Sequence, residues 1–182
     1  TVNDTDFAIN SSGYLYNNTK LDAKTYTLNV TVNDTSGNKN SAIFNVTGTL
    51  VNNTNVTANV SKDIDLSAAD ANMTIYLNAN VSVTVMVTSL TPIPSGTTNS
   101  LTGFKAINIT VNSATSGNLS WALIKIYYNA SQLTEAGITE SSLKLYFYNT
   151  TSGDWQLEPD QGVDALDNYV WANITHFSLF GV

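Results

Sequence analysis

The sequence predicts an all-β fold of the β-sandwich class, and three observations carry that expectation. Short runs of Val, Ile, Leu, Phe and Tyr alternate with Thr, Asn and Lys at a period of two, the repeat of a strand with one wet face. Turn residues punctuate these runs at roughly 8- to 15-residue spacing, which suits about ten strands. Helical signals are confined to one short segment, residues 131–137.

The elements follow in order. Residues 7–9 and 14–16 are short strand candidates around Gly13. Tyr26, Leu28, Val30 and Val32 alternate with Thr27, Asn29 and Thr31; a turn at residues 34–38 follows, and Phe44 and Val46 complete a hairpin. The polar stretch 52–59 marks a boundary between a partial module at residues 1–50 and a sandwich domain at residues 51–182, although Val56, Ala58 and Val60 equally suit the first strand of the second. Strands are then expected at 74–77 and 80–88, where Val81, Val83, Val85 and Val87 share a face. Pro92, Pro94 and Gly96 predict a loop. Ile107, Ile109 and Val111 resume the alternation, and the dense apolar run 121–128 suits a central strand. Ser131 opens the helical turn as a cap, with Leu133 and Ala136 inward and Gly137 as its stop. Leu143, Leu145 and Phe147 alternate with Lys144, Tyr146 and Tyr148, a turn at 152–154 leads to Trp155 and Leu157, and after a turn at 164–168 one last strand runs from Tyr169 to about Phe180.

Composition narrows the function. Charged residues make up 12% of the chain against a usual quarter, so amides and hydroxyls must cover the surface. The chain holds 24 Asn, 25 Thr and 18 Ser, and no Arg. A net charge of −7 with scattered Lys argues against a nucleic-acid partner. Cysteine is absent, which removes disulfides and thiolate metal sites. No stretch reaches the ~18 apolar residues of a membrane helix. Thr1 reads as a mature or trimmed start, without a signal peptide.

The strongest signal is the acceptor triplet for N-glycosylation, Asn-X-Ser/Thr. It begins at Asn3, Asn10, Asn17, Asn29, Asn33, Asn45, Asn52, Asn55, Asn59, Asn72, Asn80, Asn108, Asn118, Asn129, Asn149 and Asn173. These are 16 sites where composition alone gives about 6. In a strand the Asn and the hydroxyl residue share one face while X points to the other. Ten of the 16 middle residues are apolar, so the asparagines fall on the solvent face of half-buried strands.

Catalytic and metal sites are not expected. His176 is the only His and lacks triad or metal-ligand partners at a recognisable spacing, which predicts a hydrogen-bonded structural residue. Two acidic sets carry donors that suit a cation such as Ca2+, Asp63, Asp65 and Asp70, and Asp160, Asp164 and Asp167, while Asp4, Asp6 and Asp34 resemble cadherin-type calcium ligands. None has the spacing of a calcium loop, and turn formation accounts for them more simply. Tyr127, Tyr128, Tyr146, Tyr148, Trp155 and Trp171 are candidates for a sugar-binding platform, with core packing as the commoner use of such residues. No cofactor is expected beyond covalent N-glycans, and no enzyme activity.

Two resemblances agree. The pattern Val2-Asn-Asp-Thr5, Phe7-Ala-Ile-Asn10, Gly13, Leu21, Tyr26-Thr-Leu-Asn-Val30 and Val32-Asn-Asp-Thr-Ser-Gly-Asn38 over residues 1–48 resembles the C-terminal part of the cadherin-like or Ig-like repeats of archaeal surface proteins. Thr1–Thr5 recurs as Thr31–Thr35, as a repeat unit with a cut first copy would give. Ile126-Tyr-Tyr128, Glu135-Ala-Gly-Ile138, Glu140-Ser-Ser-Leu-Lys-Leu-Tyr146, Trp155 and His176-Phe-Ser178 make residues 119–182 similar to the C-terminal β-sandwich module of archaeal and bacterial cell-surface proteins. The resemblances imply an archaeal cell-surface glycoprotein built of Ig-like/cadherin-like sandwich modules, extracellular and without a catalytic site.

A full repeat takes roughly 85 to 100 residues and about seven strands. Residues 1–48 are too few, so the N-terminal module is expected to be incomplete and to be finished by other parts of the chain or by a strand donated from a neighbour. The expected function is a homopolymeric structural subunit of a filament, sheath or S-layer-like coat whose partner is other copies of itself. The alternative is a monomeric adhesin or glycan-binding surface module.

Overall fold

Alternation of apolar and polar residues sorts side chains onto two faces, and the chain builds two large antiparallel sheets from it. The computed structural model describes residues 1–19, 21–90, 93, 96 and 103–182. Pro92 and Pro94 of the expected loop lie outside the described residues. The elements are β1 (Phe7–Ile9), β2 (Leu15–Asn17), β3 (Thr25–Asn33), β4 (Lys39–Thr47), β5 (Leu50–Val56), β6 (Lys62–Leu66), β7 (Ala71–Leu77), β8 (Val81–Leu90), β9 (Ala106–Val111), α1 (Ser113–Gly117), β10 (Leu119–Tyr127), α2 (Ala130–Ala136), β11 (Tyr146–Asn149), β12 (Asp154–Leu157), β13 (Gln161–Asp164), β14 (Tyr169–Ile174) and β15 (Leu179–Gly181). The fold is all-β, with the sheets packed as sandwich-like layers.

One layer has the strand order β12-β11-β15-β9-β8-β5 and the other β13-β14-β10-β7-β6. The alternation decides which face is inward. In β7, Ala71, Met73, Ile75 and Leu77 are buried and the residues between them are half-buried. Val81, Val83, Val85 and Val87 of β8 turn inward from the opposite sheet. Ile124 and Ile126 of β10, Val170 and Ile174 of β14, and Phe180 of β15 join the same core. Burying each such side chain contributes roughly 1.5–3 kcal/mol. The run 121–128 does form a central strand: β10 lies between β14 and β7.

Three expectations need correction. The expected last strand is two, because residues 175–178 carry the chain from β14 in one sheet to β15 in the other. The cap of α2 is Asn129, two residues earlier than Ser131: its Oδ1 accepts from the Gln132 N–H at 3.0 Å, and Gln132 Oε1 accepts from the Asn129 N–H. The helical turn is also not alone, since α1 follows β9.

Residues 1–49 form two hairpins beside the sandwich. β3 and β4 pair over nine residues, from Thr25↔Thr47 to Asn33↔Lys39, and β1 pairs with β2. Phe7 meets Tyr26 edge-on at 5.2 Å and, with Leu28, makes a small core of its own. That core covers only part of the hairpin. Val32, Ile43 and Phe44 remain 57%, 71% and 50% exposed, and among the described residues no strand pairs with the outer edge of β4.

A narrow waist joins the hairpins to the sandwich. The Ala23 N–H donates to the Ala68 carbonyl at 3.2 Å, the Ser89 N–H donates to the Ala23 carbonyl at 3.1 Å, and Ala23 itself is part of the main core. Gly48 is required there by close approach, because a Cβ would stand 1.9 Å from the Asp22 carbonyl oxygen.

Candidate functional site

The sequons are the first feature to place. Of the sixteen asparagines, Asn52, Asn72, Asn108, Asn118 and Asn149 are half-buried and the rest are exposed; none is buried. The middle residues explain why. Val56, Met73, Val81, Ile109 and Ile174 are buried, so each turns its flanking Asn and hydroxyl residue away from the core. Val60 and Ala130 are exposed and exert no such control.

Several of these side chains are already held. Asn3, Asn10, Asn80 and Asn129 accept backbone N–H groups through Oδ1, and Asn45 accepts from the Thr27 hydroxyl. This leaves Nδ2, the atom a glycan would take, outside the bond. Others engage Nδ2 itself: Asn173 donates through it to Asp160 Oδ2 at 2.8 Å, and Asn17, Asn52, Asn72, Asn118 and Asn149 also donate through Nδ2.

The second feature is the outer face of the five-stranded sheet. Residues of β10 that alternate with its buried Ala122, Ile124 and Ile126 face outward: Trp121, Leu123, Lys125 and Tyr127. Trp121 stacks on Tyr76 of β7, with centroids 5.7 Å apart and planes 9° from parallel. Tyr127 meets Tyr169 of β14 edge-on at 5.6 Å, and Lys125 Nζ lies 4.4 Å from the Tyr169 ring centroid, a cation–π contact. Trp171 lies across the backbone of Gly162, where a Cβ would stand 2.9 Å from the indole. Only glycine lets the ring lie that low.

Polar groups border these rings. A concavity of about 370 Å³ is lined by Asp63, Asp65, Asn72, Thr74, Lys125 and Tyr127 among others. Of the six aromatics expected to form a platform, only Tyr127 and Trp171 lie here. Tyr128 and Trp155 are buried, and Tyr146 and Tyr148 are half-buried in β11 of the other sheet. Tyr128 donates to Glu140 Oε1 at 2.8 Å; burial first and this bond second push its phenol pKa up to about 12. Sequence reasoning missed Tyr76, Trp121 and Tyr169. Their parity against buried neighbours was the available signal, and for Trp121 it was hidden in the apolar run 121–128.

The acidic sets perform local work. Asp34 accepts from Asn38 Nδ2 and from the Ser36 and Asn38 N–H groups; these bonds, the Asn38 side chain first, hold its carboxyl below the usual range. Asp164 accepts from the Leu166 and Asp167 N–H groups, and its pKa is lowered chiefly by the latter. Asp4 accepts the Asp6 N–H, Asp63 the Thr74 hydroxyl, and Asp70 an ion pair from Lys105 at 3.0 Å. Among the described residues no three His, Asp or Glu side chains gather as a metal site.

His176 differs from its expected hydrogen-bonded role. Its ring packs on Phe147 at 4.6 Å, and its Nε2 stands 3.6 Å from Glu158 Oε1, with no hydrogen-bond partner for either atom among the described residues. Burial pushes the Glu158 carboxyl up to about 7 and the His176 imidazole down, so each favours its neutral form.

The site is therefore a polar, sequon-bearing surface with one aromatic sheet face. No family model, curated protein or solved structure matches the chain.

Proposed function

We propose that this chain is a structural subunit of an extracellular surface assembly, a filament, sheath or S-layer-like coat, whose surface is clothed in N-linked glycans. The observation that carries the reading is the set of sixteen sequons whose asparagines all reach solvent. A chain with 12% charged residues needs another solvating layer, and carbohydrate supplies one. Archaeal origin and extracellular location rest on the resemblances of residues 1–48 and 119–182.

Assembly is assigned to β-strand complementation at the hairpin module. Among the described residues no strand pairs with the outer edge of β4, beside exposed Phe44 and Val32, and a strand from another copy would supply both hydrogen bonds and apolar cover there. Glycopeptide mass spectrometry and negative-stain microscopy of native material test the two halves of the proposal. Sugar on the asparagines together with large regular particles is the expected result; bare asparagines on strictly monomeric protein would overturn it.

The aromatic sheet face favours a second reading, a monomeric adhesin that binds sugar through Trp121, Tyr127 and Trp171. It predicts uptake of soluble oligosaccharide by monomeric protein.

A further inference from the structure

Trp171 and Asn173 occupy alternate positions of β14 and so share its outer face, and exposed Thr175 follows just past the strand's last residue. The sequon Asn173-Ile-Thr175 therefore places an acceptor amide beside an aromatic ring. Alternate residues of a strand are roughly 6.8 Å apart, about the reach of one sugar ring. Ile174 is buried and locks this orientation, while Asn173 is exposed and Trp171 half-buried.

We propose that the glycan carried on Asn173 folds back onto the indole of Trp171, so that the aromatic sheet face is a seat for the protein's own carbohydrate. This rests on the glycosylated-surface reading above. Sugar transfer forms a bond from Nδ2 to the anomeric carbon, breaks that carbon's bond to the phosphate of an activated glycosyl donor, and releases one Nδ2 proton. The second Nδ2 hydrogen remains for Asp160, whose Oδ2 lies 2.8 Å from Nδ2, and in the proposal this bond orients the plane of the amide and the direction in which the sugar leaves it. A pyranose has an apolar face of C–H groups suited to an indole, and hydroxyl groups suited to Asp160 at its rim. Gly162 completes the seat by letting the ring lie flat. Tethering makes the contact intramolecular, so even a weak stacking interaction is occupied.

The test uses glycosylated protein from its native host. Thr175→Ala removes the acceptor triplet but keeps Asn173 and its bond to Asp160. It should lower the folding equilibrium constant roughly threefold to tenfold, the size of an aromatic stacking contact, when Trp171 is present. In a Trp171→Ala background the same change should have little effect, whereas Trp171→Phe should restore it. Gly162→Ala, which lifts the indole without deleting it, should weaken the coupling as Trp171→Ala does and serves where that variant fails to fold. An equal effect of Thr175→Ala in all backgrounds overturns the proposal. Sugar elsewhere with Asn173 bare also overturns it while leaving the glycosylated-surface reading standing; sugar on none of the sixteen asparagines overturns both.

Discussion

Glu158 is 2% exposed beside His176, and its carboxyl prefers to keep its proton there. Its folded pKa of about 7 lies above the ordinary 4.5, so the stability it contributes is complete below pH 4.5 and is lost as pH rises through 7. His176 acts with the opposite sign: its folded pKa lies below 6.5, so its contribution is complete above 6.5 and is lost as pH falls below that value. Between pH 4.5 and 6.5 the two contributions therefore oppose each other in the urea midpoint, and Glu158→Gln should remove the loss that accompanies rising pH and leave only the His176 loss on the acid side. Core positions follow simpler rules. Ile124→Ala removes a fully buried side chain between the two layers and should cost about 2–5 kcal/mol, read from the same midpoints. That the run 121–128 is a central strand was legible in sequence, but the inward turn of Ile124 was not, because that run is apolar at almost every position. The Glu158–His176 contact was not, since residues 18 positions apart carry no local mark of their meeting.

At the level of elements, hairpins and central strands were the easiest to read, because period-two alternation is local. β6 and β13 escaped notice: Lys62-Asp-Ile-Asp-Leu66 and Gln161-Gly-Val-Asp164 offer too few apolar residues to signal a strand, and pairing with β7 and β14 fixes them. The cap of α2 was misplaced because Asn129 also belongs to a sequon, and both roles suit an asparagine. Cap and sugar are compatible, since the cap uses Oδ1 and the sugar Nδ2. Asn129→Ala should cost about 1 kcal/mol even in sugar-free protein, measured by thermal unfolding. The free edge of β4 yields a sharper expectation. Phe44→Lys puts a charge on the exposed face and should dissociate the particles, by light scattering, while leaving the circular dichroism of the sandwich intact.

For the molecule as a whole, the sequence made the number of acceptor triplets and the scarcity of charge legible but not how the surface is laid out. Counting triplets needs no structure, whereas knowing that Tyr76, Trp121, Tyr127, Tyr169 and Trp171 share one sheet face requires the strand order. If the proposed glycan coat is present, protein made without sugar should lose solubility steeply as pH approaches the sequence isoelectric point near 4.3 while protein from the native host stays dispersed; turbidity against pH checks this. The waist at Ala23 also has a mechanical meaning. An alanine seated in the main core, with backbone bonds to Ala68 and Ser89, does not let the hairpins swing like a bead on a string. Under the proposed strand complementation, a strand docked on β4 would be aimed by the sandwich behind it, so a chain of such subunits would resist bending at every joint and hold a constant pitch over long distances.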